Sequence, residues 1–380
     1  MQETMTSRQR VAEAINHRVP DRMPIDLGMH TSTGISAFAY QNLRAHLGLP
    51  DAPVELVDGV QVTARVEETV LRRFHCDCAF LRPRPAKPRI WSPRAGYEFL
   101  VPDYCNPKQN DVGEWVVEQG ARRMRMPVGG YFFDGSWLSM EDRWDDAFFA
   151  ATVREAERLY KDTDYFTAFI GFHPFFESDV DFFCDMIAEP DELKAQNEKH
   201  LETQIALAGK LINSMKDHIG AVCLSGDLGG QQSPMVKPDV FADVSAPYLR
   251  AFCEFIHRHS DYKVFLHSCG SIEPLIPLLI DCGVDILNPV QISAQNMAPE
   301  MLKAKYGKDI VFWGGGVDTQ RVMGFQPADA VAANAKALTQ IFKPGGGYVF
   351  CPVHNIMGDV PPENVIAAYD SAYANSFYIN

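Results

Sequence analysis

Apolar positions fall into two alternating rhythms along the second half of this chain. Short β-branched or apolar runs end in Gly, Pro or polar residues, and stretches with apolar residues about every 3.6 positions follow. The runs are Gly220–Leu224, Lys263–Leu266, Val284–Leu287, Asp309–Trp313 and Gly347–Phe350. The helical stretches between them include Pro238–His259, Ile272–Cys282 and Pro327–Phe342. Pro238 suits a first helical turn, where its missing N–H costs nothing, and Asp239 favours the same end. Weaker strand candidates in the first half are Met23–Leu27, Cys78–Arg82 and Tyr165–Ile170. The pattern predicts an α/β protein whose eight strands close into a (β/α)8 TIM barrel, with an open doubly wound sheet as the competitor. Residues 84–150 break the rhythm with Pro-rich turns, alternating segments and many aromatics. They read as a β-rich insertion after the second strand, either a lid over the mouth or a surface decoration. Without a repeat or a Ser/Gly linker, residues 1–380 read as one domain.

Composition narrows the partners. The net charge of −14 disfavours nonspecific attachment to nucleic acid or an anionic membrane. The N-terminus is polar, unlike a signal peptide, and no window approaches the roughly 18 apolar residues of a membrane span. Nine irregularly spaced cysteines, several in apolar contexts, indicate a reduced, cytoplasmic protein rather than a disulfide framework.

Chemistry-bearing residues gather where the predicted strands end, the end at which barrel enzymes work. In LHSCGS, His267 and Cys269 lie two apart, so extended backbone points both side chains one way. An imidazole beside a thiolate is the start of a zinc site, and His354, just after the last strand, is the candidate third ligand. Cys351 is its rival. The same residues also suit a packed thiol and two histidines that only hydrogen-bond substrate. Asp227 suits an acid/base or ligand-positioning role, or a loop cap. Asn288, Gln291, Asp318 and His30 are candidate substrate contacts, with loop hydrogen bonding an equal alternative for Asn288 and Gln291 and a structural role an equal one for His30. Gly314–Gly316 lets backbone approach a ligand but lacks the Lys and spacing of a phosphate loop. The His75-Cys76-Asp77-Cys78 run precedes a strand and reads as structural.

Four segments resemble the uroporphyrinogen decarboxylase-like superfamily, on its corrinoid-dependent methyltransferase branch. They are TSRQRVAEAINHRVPDRMPID, SGDLGGQQSPMVKPDVF, HSCGSIEPLIPLLIDCGVDILNPVQ and GGGYVFCPVHNIMGDVPPENVIAAYDSA. The resemblance implies a barrel that moves a methyl group between cobalamin, carried by a partner corrinoid protein, and a small-molecule acceptor, a thiol or tetrahydrofolate. In zinc-dependent relatives zinc binds the acceptor thiol as thiolate, and His267 and Cys269 match the first two zinc positions. The third is a cysteine in the thiol methyltransferases; through the Pro-x-x-x-Ile frame it falls on His354 here, a departure that bears on zinc. Catalysis would rest on Asp227, His267 and His354.

A cofactor-free decarboxylase is the alternative on the same scaffold. The Arg-Gln-Ala-Gly-Arg segment of uroporphyrinogen decarboxylase is replaced by DLGMHTSTGIS, which removes the carboxylate anchors. A zinc hydrolase lacks its His-x-His after the first strand. A noncatalytic binding protein would have little use for His, Cys and Asp at several strand ends. The aromatics of 84–150 could shape a pocket or a contact in a homo-oligomer.

Overall fold

A computed structural model describes residues 2–84, 87–101, 105–120, 122–135 and 145–378. Six parallel strands pair in chain order: Ala168–Phe172, Ala221–Ser225, Lys263–His267, Ile286–Asn288, Val311–Trp313 and Tyr348–Val349. Two shorter segments complete the ring. Ile25 bridges Phe350 in parallel, with Asp26 N–H donating to the Phe350 carbonyl at 2.8 Å. Cys78 bridges Phe166 in parallel, and Asp77 N–H donates to the Ile25 carbonyl at 2.7 Å. Hydrogen bonds therefore run around all eight predicted strand positions, and the barrel expectation holds.

These strands are apolar throughout because both of their faces are buried. Cys78, Cys223, Phe265, Ile286, Val311, Trp313, Val349 and Cys351 turn into the lumen and pack as one cluster. Their neighbours Val222, Leu224, Val264, Leu266, Leu287 and Phe312 turn outward and pack with the surrounding helices. Val11 and Ile15 of the first helix, Ser7–Ile15, join the lumen cluster and plug the end where the strands begin. The predicted helix Pro238–His259 is two helices, Pro238–Val244 and Ala246–His259. Pro247 lacks the N–H that a continuous helix would need there.

The accessory β structure differs from a simple insertion after the second strand. Val54–Asp58 and Thr63–Ala64, which precede that strand, share a sheet with Arg89–Trp91 and Phe99–Val101. Val54 pairs in parallel with Phe99, so the excursion is assembled from both sides of the second strand. A second antiparallel sheet contains Lys108–Gln109, Trp115–Gln119, Arg122–Met126 and Asp134–Gly135. Residues from 146 onward belong instead to the barrel helix Asp146–Asp162. The excursion leans on the mouth: Phe133 N–H donates to the Val60 carbonyl at 2.8 Å, and Asn355 joins Gln61 to the loop at Gly34. Residues 136–144, within the expected lid, lie outside the described residues. No described helix is long and apolar enough to cross a membrane.

At the closed end, Asp77 is fully buried between two buried guanidiniums. Arg10 reaches it at 2.6 Å and Arg22 at 2.7 Å. Removing the carboxylate would leave Arg10 only Asp21 and Glu3, and Arg22 only Glu3, as carboxylate partners for buried guanidiniums. Asp77→Ala is therefore expected to cost about 3–5 kcal/mol, read as a lowered urea midpoint with an unchanged slope.

Candidate active site at the barrel mouth

Register places the site. In parallel strands, residues directly paired point to the same side, and Ser225 pairs with His267, which pairs with Asn288. Each lies two residues beyond a lumen residue, namely Cys223, Phe265 and Ile286. All three therefore turn into the mouth, one layer above the apolar filling.

His267 is 8% exposed. Its Nδ1 lies 2.7 Å from Asn288 Oδ1, and its Nε2 lies 3.6 Å from Cys269 Sγ and 3.8 Å from Asp227 Oδ1. The ligand-type atoms of Asp227, His267 and Cys269 all fall within 4.8 Å of one another, and no other such group occurs among the described residues. The loop carrying them is braced at successive positions. Cys269 N–H donates to Asp227 Oδ1 at 2.8 Å, and Gly270 N–H donates to Gln291 Oε1 at 2.7 Å. Gly270 has a φ of +92°, and a Cβ there would lie 2.0 Å from the Gly229 carbonyl oxygen, so the turn requires glycine. Burial pushes the Cys269 thiol well above its usual pKa, and the Asp227 carboxylate adds to the effect. The sulfur is consequently a thiol at neutral pH unless a cation joins it.

His354 does not belong to the converged group, where Asp227 stands in its place. It remains part of the same electrostatic neighbourhood. Burial lowers its imidazole pKa, and His267 lowers it further. The rival Cys351 is fully buried in the lumen cluster, below the mouth.

Several candidate substrate contacts have structural duties. His30 is 1% exposed and stacks on His267 at 5.5 Å between ring centroids. Its Nδ1 accepts the Ser32 N–H at 3.1 Å, so its Nε2 carries the proton and donates to Ser225 Oγ at 3.0 Å. Burial keeps it neutral. Asn288 is fully buried, with its Nδ2 donating to the Trp313 carbonyl at 2.8 Å. Gln291 spends its oxygen on Gly270, as above. Asp318 caps its own loop by accepting N–H groups of Gln320 at 2.9 Å and Arg321 at 3.0 Å. All four side chains commit at least one polar atom to the protein's own hydrogen bonds, Gln291 through its oxygen and Asp318 through Oδ1, because backbone groups in the tightly turned mouth loops need partners.

Two residues escaped the sequence reading. Ser225 is exposed at its strand end, and with His30 donating to its oxygen, its own O–H is free to point elsewhere. Its signal was the lumen parity with Cys223. Asp26 is fully buried, accepting from Trp313 Nε1 at 2.9 Å and Met29 N–H at 2.8 Å. Nothing local in MPIDL marks it.

With this geometry in place, similarity to known proteins becomes informative. Residues 180–374, just over half of the chain and including the converged group, match the family model of uroporphyrinogen decarboxylase (URO-D). The chain belongs to the URO-D family. A methyltransferase from Methanosarcina mazei shares its fold, with a TM-score of 0.59, 16% identity and coverage of 98% of this chain and 99% of that one. A glycoside hydrolase family 5 enzyme from Prevotella bryantii overlaps at a TM-score of only 0.36, with 11% identity over 62% of this chain and 79% of its own. A xylose isomerase-like TIM barrel protein from Mycobacterium smegmatis gives 0.37, with 13% identity over 63% of this chain and 82% of its own. These two overlaps are too slight to carry an argument. No curated protein matches by sequence.

Burial raises the Asp26 carboxyl to about 6, whereas an unfolded aspartate titrates near about 4. Between those values the folded chain of this URO-D family member holds a proton that the unfolded chain has released. Stability should therefore fall as pH rises from about 4 to about 6. Asp26→Asn is expected to remove that part of the slope in a pH series of urea unfolding curves.

Proposed function

We propose that this URO-D family member is a methyltransferase that moves a methyl group from cobalamin on a partner corrinoid protein to a small acceptor, a thiol or tetrahydrofolate. The observation that carries the reading is the convergence of Asp227, His267 and Cys269 at the open mouth. Oxygen, nitrogen and sulfur donors in one group suit zinc. Asp227, His267 and Cys269 would hold the metal. A bound zinc supplies Lewis acidity that makes a coordinated thiol a thiolate at neutral pH.

The protein's own residues then divide the work. The cobalt–carbon bond breaks with its electron pair left on cobalt, and the acceptor gains a methyl group and loses a proton. His354, kept neutral by burial, is suited to take that proton. Ser225 offers its hydroxyl hydrogen to a polar atom of the acceptor, with its oxygen held by His30. The corrinoid must come to the mouth, so its carrier would dock over the strand ends.

Cofactor-free decarboxylation is a second reading, favoured by the chemistry in the family's name. The loop after the first strand, DLGMHTSTGIS, contains no arginine to grip a polycarboxylate.

Incubation with methylcobalamin and either a thiol or tetrahydrofolate is expected to give loss of the cobalt–methyl absorption band. Cys269→Ala should lower that rate by about 100-fold or more, about 2.7 kcal/mol of transition-state stabilisation. Decarboxylation of uroporphyrinogen without methyl transfer would overturn the proposal. Metal analysis is expected to find about one zinc per chain, lost in Cys269→Ala.

A further inference from the structure

We infer that Asn288 is a positioning residue that selects the tautomer of His267 and thereby turns a lone pair, rather than an N–H, toward Cys269 and Asp227. The argument starts from Trp313. Its main-chain carbonyl can only accept, and the Asn288 side chain approaches it at 2.8 Å. The amide must therefore present its NH2 group to Trp313. Rotating the amide by half a turn would set two acceptor oxygens against each other in a fully buried place. The Asn288 oxygen is left facing His267 Nδ1 at 2.7 Å, where it can only accept. Nδ1 consequently carries a proton, and in the neutral imidazole Nε2 is bare. Nε2 is the nitrogen that faces Cys269 Sγ at 3.6 Å and Asp227 Oδ1 at 3.8 Å.

Strand pairing makes the arrangement stiff. His267 and Asn288 are register partners, and Ser268 N–H donates to the Asn288 carbonyl at 2.6 Å. The chain of bonds runs across three adjacent strands, from Trp313 through Asn288 to His267. An imidazole set in this way is ready to ligate a cation or accept the Cys269 proton without first moving its own. Asn288 thus acts through His267 rather than by touching substrate. The tautomer follows from hydrogen bonding alone; its use in ligation rests on the metal-and-thiol reading above.

The test is nitrogen-15 NMR of zinc-free protein labelled in histidine, with the His267 signals assigned by their loss in His267→Gln. Wild type is expected to show a protonated Nδ1 and a bare Nε2. In Asn288→Ala the proton should move to Nε2 or exchange between the two nitrogens. Zinc affinity, measured by chelator competition, should fall about 10- to 100-fold. Asn288→Ser serves the same purpose should Asn288→Ala not fold. A protonated Nε2 in wild type would overturn the inference, as would an unchanged tautomer in the variants. Neither readout involves turnover, so a protein with the expected tautomer but no methyl transfer would refute the proposed function alone.

Discussion

The parity of side chains around a closed parallel ring governs this molecule. Once hydrogen bonds lock neighbouring strands in register, every second residue of each strand faces the lumen. Cys223, Phe265 and Ile286 fill the lumen, and the residues two further on, Ser225, His267 and Asn288, must rise into the mouth above them. A shift of one residue in any strand would turn its functional side chain out among the helices. Packing of the apolar filling is therefore also what aims the polar residues.

A second constraint follows from where those residues stand. The mouth is bordered by tight loops whose backbone N–H groups lie partly buried and need acceptors. Asp227, Gln291 and Asp318 each supply one, and Asn288 bridges two strands. The same side chains that look suited to a substrate in one dimension thus also shape the loops. Exposed among the mouth residues are Ser225, the edge of the Asp227 carboxylate and the partly open Cys269. Rigid bracing of this kind holds reactive atoms in place without help from a ligand.

The two ends of the barrel treat charge in opposite ways. At the closed end Asp77 is matched by Arg10 and Arg22 at hydrogen-bond distance, so its charge is compensated and structural. At the mouth the Asp227 side chain is nearly half-exposed, accepts the Cys269 N–H at 2.8 Å and lies 3.8 Å from His267 Nε2, a looser arrangement than the closed-end ion pairs.

Much of this was legible in one dimension, for physical reasons. A strand buried on both faces must be apolar throughout, so runs such as AVCL and KVFL announced themselves, and the spacing of helices between them implied a parallel ring. The first strand was faint because Pro24 lacks an N–H, leaving a single bridge at Ile25. His267 and Cys269 were visible because their separation of two is a local property of extended chain. Three-dimensional closure alone decided that Asp227 rather than His354 joins them, that His30 and Asn288 are sealed in, and that Val54–Asp58 pairs across the second strand with Phe99–Val101. Those outcomes depend on contacts between residues tens to hundreds of positions apart, and local pattern carries no information about which distant acceptor a buried N–H will find.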